Sequence, residues 1–156
     1  MVTSCAMTQF ETVDDLLAAE PGPLGAGEWF EVTQDRINTF ADATGDHQWI
    51  HIDAERAAAG PFGCTIAHGY LTLSLISKDM PRIISVHQMS MGINYGANKV
   101  RFPSPVPVGS RLRMVGALSE VTEVPGGAQA VITVTAEIEG SDKPACVAET
   151  ISRFYR

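Results

Sequence analysis

The stretch from residue 66 to residue 80 constrains the fold more than any other part of the sequence. Its apolar side chains cover most of the circumference of a helix, which predicts a helix that is buried on nearly all sides. These side chains are Ile66, Tyr70, Leu71, Leu73, Leu75 and Ile76. Pro81 is expected to end the helix, because proline cannot continue its hydrogen bonding. Other elements must therefore wrap around this helix.

From residue 83 onward the sequence has the two-residue period of β-strands. The clearest case is an alternation of apolar residues with Thr and Glu, at Ile132, Val134, Ala136 and Ile138. It predicts a half-buried antiparallel strand. Because the helices come first and four to five antiparallel strands follow, the predicted class is α+β, with a curved antiparallel sheet wrapped around the buried helix. We expect residues 1–156 to form a single domain.

The composition is that of an ordinary globular chain and excludes several classes of function. No apolar run approaches the roughly 18 residues that a membrane span needs. The net charge of −7 argues against a nucleic-acid partner, which calls for clustered Lys and Arg. The N-terminus has no basic segment followed by an apolar one, so no secretory signal is expected. The three cysteines are odd in number and far apart, which indicates a reducing, cytoplasmic location.

A helix before the buried one places two ionisable side chains close together. The pattern predicts a helix over residues 34–44, with Thr33 as its N-cap and Gly45 after its last turn. Asp46 then follows the helix end directly, and His51 comes five residues later. The two apolar residues just before His51 are expected to hold this turn by burial.

The candidate active site lies in the stretch 40–77. A carboxyl group and an imidazole that lie together can move a proton near neutral pH. Gly69 begins the apolar helix, where free N–H groups can stabilise a developing oxyanion, and glycine allows close approach to the main chain. The residues alone leave simpler readings open: Asp46 caps a turn, His51 fills a gap, and Gly69 serves only packing.

The remaining histidines are interpreted as structural. His47 stands four residues before His51, but that spacing aligns metal ligands only on a helix, and the segment follows a helix-ending glycine. We therefore expect no metal site. His68 and His87 are interpreted as hydrogen-bonded structural residues.

These motifs together resemble the MaoC-type (R)-specific enoyl-CoA hydratases of the hot-dog fold. The shared pattern is a helix ending in Gly-Asp, a histidine five residues after the Asp, and a His-Gly pair that opens the central helix. Here it reads Gly45-Asp46, His51 and His68-Gly69. The run GDHQWIH resembles a NodN-like subgroup. Gln48-Trp49 stands where the family usually carries Asn-Pro, so the turn depends on the packing of Trp49.

The resemblance implies the reversible syn addition of water to a trans-2-enoyl-CoA, which gives the (R)-3-hydroxyacyl-CoA. His51 would take the proton of the attacking water, and Asp46 would hold that water and pass a proton to C2. That role requires the Asp46 proton to be shared, or its pKa to be raised by burial. The Gly69 amide would stabilise the thioester oxygen, and Ser77 matches a family serine near the pair, although it can equally bond to its own helix.

The resemblance also implies partners. The substrate is an acyl-CoA thioester, no cofactor is needed beyond the coenzyme A of that substrate, and a homodimer is expected with the acyl chain at or near its interface. Lys99 and Arg101 either meet the coenzyme A phosphates or form a solvated face of a strand.

Two rival functions remain from the sequence. An acyl-CoA thioesterase uses the same fold and would release free CoA thiol. A non-catalytic acyl-CoA-binding subunit would bind ligand without turnover. The pair of Asp46 and His51 at this spacing favours hydration.

Overall fold

The computed structural model describes residues 7–156. Residues 1–6, which include Cys5 and the start of the N-terminal segment considered above, lie outside this range. The elements are β1 (Thr8–Thr12), α1 (Val13–Leu17), β2 (Gly22–Ala26), β3 (Phe30–Glu31), α2 (Gln34–Thr44), α3 (Trp49–Ile52), α4 (Ala54–Ala58), α5 (Gly69–Ser74), α6 (Ile76–Ile83), β4 (Ile84–Gln88), β5 (Met91–Arg101), β6 (Arg111–Val124), β7 (Gly127–Ile138) and β8 (Cys146–Tyr155). Within residues 7–156, no helix is long and apolar enough to cross a membrane.

Six of the strands form one antiparallel sheet. The order is β2-β6-β7-β8-β5, and β3 also pairs with β6. Alternate side chains of β6 and β7 are buried in the core, whereas β5 forms an edge that is exposed along most of its length. The predicted α+β class with an antiparallel sheet is confirmed. The number of domains is not tested by this arrangement and stays a prediction.

The central helix differs in its limits from the prediction. It begins at Gly69 rather than Ile66, because the preceding residues are extended and pair with the loop at 106–108: the Ala67 amide donates to the Val106 carbonyl at 2.8 Å. The helix also breaks near Leu75 into α5 and α6.

Two further details of the central helix were predicted wrongly. Pro81 lies inside α6 and does not end it. The helix tolerates the missing N–H because the carbonyl that loses its partner belongs to Ser77, which is exposed to water. Burial on all sides is also wrong, since Tyr70 is 73% exposed.

Strands β1 and β2, near the N-terminus, were not predicted from the sequence. β1 pairs with β4 in parallel, and β2 adds to the edge of β6. The β2 sequence GPLGA carries Gly and Pro, which are typical of turns, so no strand was expected. A close approach explains Gly25, because a Cβ atom there would lie 3.0 Å from the Arg82 carbonyl oxygen.

The predicted caps of helix α2, which precedes the site, are confirmed. The Thr33 side chain accepts a hydrogen bond from the Arg36 amide at the start of α2, and Gly45 ends that helix with a φ of 78° in the left-handed region. Helix α2 has the predicted limits. The position of Asp46 thus follows from local sequence alone.

We expect Gly116→Ala to destabilise the fold. Gly116 of β6 lies directly under α6, and a Cβ atom there would overlap Cγ2 of Ile83, which is fully buried. Overpacking of this kind costs about 1–3 kcal/mol. Thermal unfolding measures it, with a melting temperature lower by about 2–4 °C for each kcal/mol. Gly22→Ala is the matched control, because no atom lies within 4 Å of its added carbon. Equal melting temperatures for the two variants would contradict the close helix–sheet contact.

Candidate active site

The His51 imidazole is buried and its orientation is fixed. The side chain is 6% exposed, and Nδ1 donates to the Ile66 carbonyl oxygen at 2.7 Å. Because a carbonyl oxygen only accepts, the proton of the neutral ring lies on Nδ1 and Nε2 keeps its lone pair. The Gln34 side chain donates to the His51 carbonyl at 2.8 Å and accepts from Thr65 Oγ1 at 2.5 Å, which ties α3 to α2.

Burial lowers the pKa of His51 below its ordinary value of 6.5. The neighbouring His68 lowers it further, whereas the hydrogen bond to Ile66 and the charge of Asp46 act in the opposite direction. His51 is therefore unprotonated at neutral pH, as a general base must be.

We expect the two histidines of this segment to titrate on opposite sides of pH 6.5. The pKa of the exposed His47 is raised, chiefly by its hydrogen bond to Asp42, whereas that of His51 is lowered. Proton NMR of the two imidazoles measures both values in one sample. On acidification residue 51 takes up its proton in the unfolded chain first, so the His51 contribution to stability falls as the pH drops below about 6.5, while that of His47 changes in the opposite direction. A His51 midpoint at or above that of His47 would contradict the buried, unprotonated base.

Asp46 lies beside His51 but is exposed. Its Oδ1 accepts from the Gln48 amide at 3.4 Å. The burial expected of this carboxylate is not found in the single chain, because the turn after α2 leaves the residue on the surface.

His68 contacts both Asp46 and His51. The sequence predicted it to be a hydrogen-bonded structural residue and did not predict these contacts. Its ring stacks on that of His51, with the centroids 3.8 Å apart and the planes inclined by 25°. Its Nε2 donates to the main-chain oxygen of Asp46 at 2.9 Å. The only signal in the sequence was its position before Gly69, since no local pattern reveals a contact 17 residues away.

The cluster contains residue types that bind metal ions. The donor atoms of Asp46, His51 and His68 all lie within 4.8 Å of one another. However, the two rings are nearly parallel, so their in-plane lone pairs run side by side and do not converge on one point. One nitrogen of each ring is also hydrogen-bonded to a main-chain oxygen. This arrangement suits proton transfer better than metal binding, and the expectation of no metal stays a prediction. His47 pairs with Asp42 at 2.8 Å instead of joining the cluster.

Gly69 opens α5 directly after His68. Its amide and that of Tyr70 have no hydrogen-bond acceptor among residues 7–156, as an oxyanion site requires. A Cβ atom on Gly69 would lie 3.3 Å from the Phe102 ring, so the glycine also serves packing. The functional and the structural readings of Gly69 are thus compatible.

Ser77 lies apart from this cluster, on an open apolar cleft of about 650 Å³. The cleft runs between the central helix and strands β4, β5 and β8, and its lining includes Leu73, Met80, Ile93 and Phe154. Neither Asp46 nor His51 belongs to that lining. Within the chain, Ser77 is therefore placed beside the cleft rather than beside the pair.

Comparison with known protein families decides what kind of protein carries this site. A family model described as "MaoC like domain" matches residues 18–140, well over half of the chain. The chain belongs to the MaoC-like dehydratase family.

Curated relatives agree with this assignment. The chain is 54% identical over 149 residues to a protein named 3-hydroxyacyl-thioester dehydratase Z from Mycobacterium tuberculosis, covering 95% of the chain and 99% of the relative. It is 50% identical over 136 residues to nodulation protein N of Rhizobium leguminosarum, covering 83% of the chain and 82% of that protein. The predicted NodN-like resemblance and the predicted class of enzyme, a hydro-lyase, are confirmed.

Solved structures confirm the hot-dog fold. An unliganded (R)-hydratase from Pseudomonas aeruginosa aligns with a TM-score of 0.72 at 23% identity, covering 88% of this chain and 83% of that one. An (R)-hydratase from A. caviae aligns with a TM-score of 0.70 at 22% identity, covering 86% and 96%.

In this MaoC-like dehydratase, packing of Trp49 holds the turn between Asp46 and His51, as expected. Trp49 is half-buried, its ring lies 4.4 Å from the Arg56 guanidinium, and Gly60 approaches it so closely that a Cβ atom would lie 3.0 Å away. Lys99 and Arg101 are exposed on β5.

Proposed function

We propose that this MaoC-like dehydratase is an (R)-specific enoyl-CoA hydratase. It would catalyse the reversible syn hydration of a trans-2-enoyl-CoA to the (R)-3-hydroxyacyl-CoA. The observation that carries the proposal is the buried His51 imidazole, which has its proton on Nδ1 and a ring nitrogen within 4.8 Å of an oxygen of the Asp46 carboxylate. A base and an acid on one side of a substrate deliver oxygen and proton to the same face, which is syn addition.

The chemistry follows from these positions. His51 Nε2 takes a proton from water as the water oxygen bonds to C3 of the enoyl chain. The electron pair of the double bond moves onto the thioester, where the Gly69 N–H stabilises the negative oxygen. The carboxyl group of Asp46, in its protonated form, gives its proton to C2 and is left as a carboxylate. Transfer of the proton from His51 to Asp46 then restores the starting state.

The apolar cleft beside Ser77 is the proposed site of the acyl chain. Its lining is largely apolar, which suits a hydrocarbon. We place no cofactor in the reaction, since acid, base and oxyanion donor all belong to the chain. A reducing, cytoplasmic location remains part of the proposal, supported by the free thiols of Cys64 and Cys146.

We further propose a homodimer formed through the edge of β5. This strand runs from Met91 to Arg101, and one of its edges pairs with no strand among residues 7–156, which favours pairing with a second chain. Large apolar side chains are exposed on and beside it, at Met89, Met91 and Tyr95. The cleft is partly lined by this strand, so the acyl chain would lie near the interface. Sedimentation equilibrium should give twice the chain mass of 16.7 kDa, and a monomer at micromolar concentration would contradict the proposal.

The enoyl-thioester absorbance band tests the function. Crotonyl-CoA and a longer 2-enoyl-CoA are each incubated with the protein while thiol release is followed in parallel. Loss of the band without thiol, and oxidation of the product by an (R)-specific dehydrogenase, is the expected result. Thiol release would instead indicate a thioesterase. Ligand binding without either change would indicate a non-catalytic binding subunit.

A further inference from the structure

His68 contacts Asp46 and His51 and directly precedes Gly69. Its Nε2 donates to the main-chain oxygen of Asp46 at 2.9 Å, its ring stacks on His51 at 3.8 Å, and its main chain leads directly into Gly69. These three partners lie on different segments: the turn after α2, helix α3 and helix α5. This one side chain therefore links the three segments.

The surroundings hold His68 rigidly. The residue is 3% exposed, and the Phe40 ring packs against it with the centroids 5.0 Å apart. Its carbonyl oxygen accepts from the Thr72 amide at 3.1 Å in the first turn of α5. The His68 ring cannot shift without disturbing both α2 and α5.

The hydrogen bond to Asp46 also determines which nitrogen of the His68 ring carries a proton. The main-chain oxygen of Asp46 only accepts, so Nε2 must carry the proton. Nδ1 is buried and has no hydrogen-bond partner among residues 7–156. A ring with its proton on Nε2 is the form that fits this hydrogen bond. Because Nδ1 has no exposed surface, it offers no hydrogen bond to a substrate.

Histidine makes both contacts, whereas phenylalanine and glutamine would each make only one. Phenylalanine would stack on His51 but has no donor for Asp46, and glutamine would carry a donor but no flat ring. The buried nitrogen without a partner carries a cost, since unpaired buried polar atoms are destabilising. An apolar residue at position 68 would avoid that cost, so packing alone does not explain the histidine.

We propose that His68 is a positioning residue, which holds the His51 ring and the Asp46 turn in register with the Gly69 amide. The inference rests on the proposed hydratase function for its catalytic meaning. The titratable groups that act on His51 are Asp46, from the turn after α2, and His68 itself, from the start of α5. His68 therefore acts through the pair and not on the substrate.

Two variants separate the two contacts. His68→Gln keeps a donor for Asp46 but removes the stacked ring, so water reaches His51 and its titration midpoint rises toward 6.5. His68→Phe keeps the ring but releases the Asp46 turn, so kcat falls about tenfold to a hundredfold with KM nearly unchanged, the scale of a misplaced catalytic group. The acid limb of the pH profile should move to higher pH in His68→Gln and stay in place in His68→Phe. His87→Gln is the matched control, because His87 is exposed on β4.

Nitrogen-15 NMR of the imidazoles tests the positioning without any assay of activity. In the wild-type protein we expect His68 protonated on Nε2 and His51 protonated on Nδ1. The opposite tautomer of His68 would overturn the inference, as would an unchanged His51 titration in His68→Gln together with an unchanged kcat in His68→Phe. A purely structural role would scale kcat with the folded fraction and leave the acid limb in place. If the wild-type protein hydrates no enoyl-CoA, the proposed function fails, and the tautomers and the His51 titration still decide the positioning.

Discussion

His51→Ala is expected to lower the rate of 2-enoyl-CoA hydration by about a hundredfold or more. The change removes the group that takes the proton of the attacking water, and general base catalysis supplies about two to four orders of magnitude. The acceptor nitrogen is already unprotonated at neutral pH, because burial lowers the pKa of the ring. The other imidazoles near Asp46 do not replace it, because His68 Nδ1 is fully buried and His47 is bonded to Asp42 outside the cluster. The loss should appear in kcat, measured from the enoyl-thioester absorbance.

The matched control for this variant is His87→Ala. His87 is an exposed histidine whose side-chain contact is a long one, 3.4 Å to Gln9. The buried site of His51 leaves the Ile66 carbonyl without its donor in the alanine variant, so circular dichroism must confirm the fold. A folded His51→Ala protein with the rate of the His87→Ala control would exclude His51 as the base.

Asp46→Asn is expected to cause a comparable loss of rate without loss of stability. Asparagine keeps the shape of the side chain but cannot deliver a proton to C2. The hydrogen bond from His68 survives, because the main-chain oxygen of residue 46 accepts it. The carboxylate is exposed, so the free energy of unfolding should change by less than about 0.5 kcal/mol. We therefore expect kcat about a hundredfold lower, with KM and the melting temperature nearly unchanged.

Asp42→Asn provides the comparison for Asp46. Asp42 is an exposed carboxylate four residues earlier on α2, paired with His47 outside the cluster. Its replacement should leave the rate of hydration unchanged. If the two asparagine variants hydrate at the same rate, Asp46 has no part in proton transfer.

The sequence predicted those parts of the site that local chemistry determines. Thr33 and Gly45 set the limits of α2 through capping and a left-handed turn, and these signals act within a few residues. The position of Asp46 after the helix follows from them. The spacing to His51 then matched a family motif, which the comparisons with known proteins bear out at the level of the family.

The parts that sequence reasoning missed depend on contacts between distant residues. Residue Ala67 is extended because it pairs with the loop at 106–108, which overrides its place in an apolar helical pattern. The Gly-rich strand β2 exists because β6 accepts it, although its composition is typical of turns. The stacking of His68 on His51 joins residues 17 positions apart, so no periodicity could reveal it.

The most direct measurement of the central claim is the reaction of crotonyl-CoA in D₂O, followed by NMR. The proposed mechanism predicts (R)-3-hydroxybutyryl-CoA with a single deuterium at C2, on the same face as the new hydroxyl group. That product requires one base and one acid on one side of the substrate, as His51 and Asp46 provide. Free crotonate and CoA, an (S)-configured product, or deuterium on the opposite face would contradict the account.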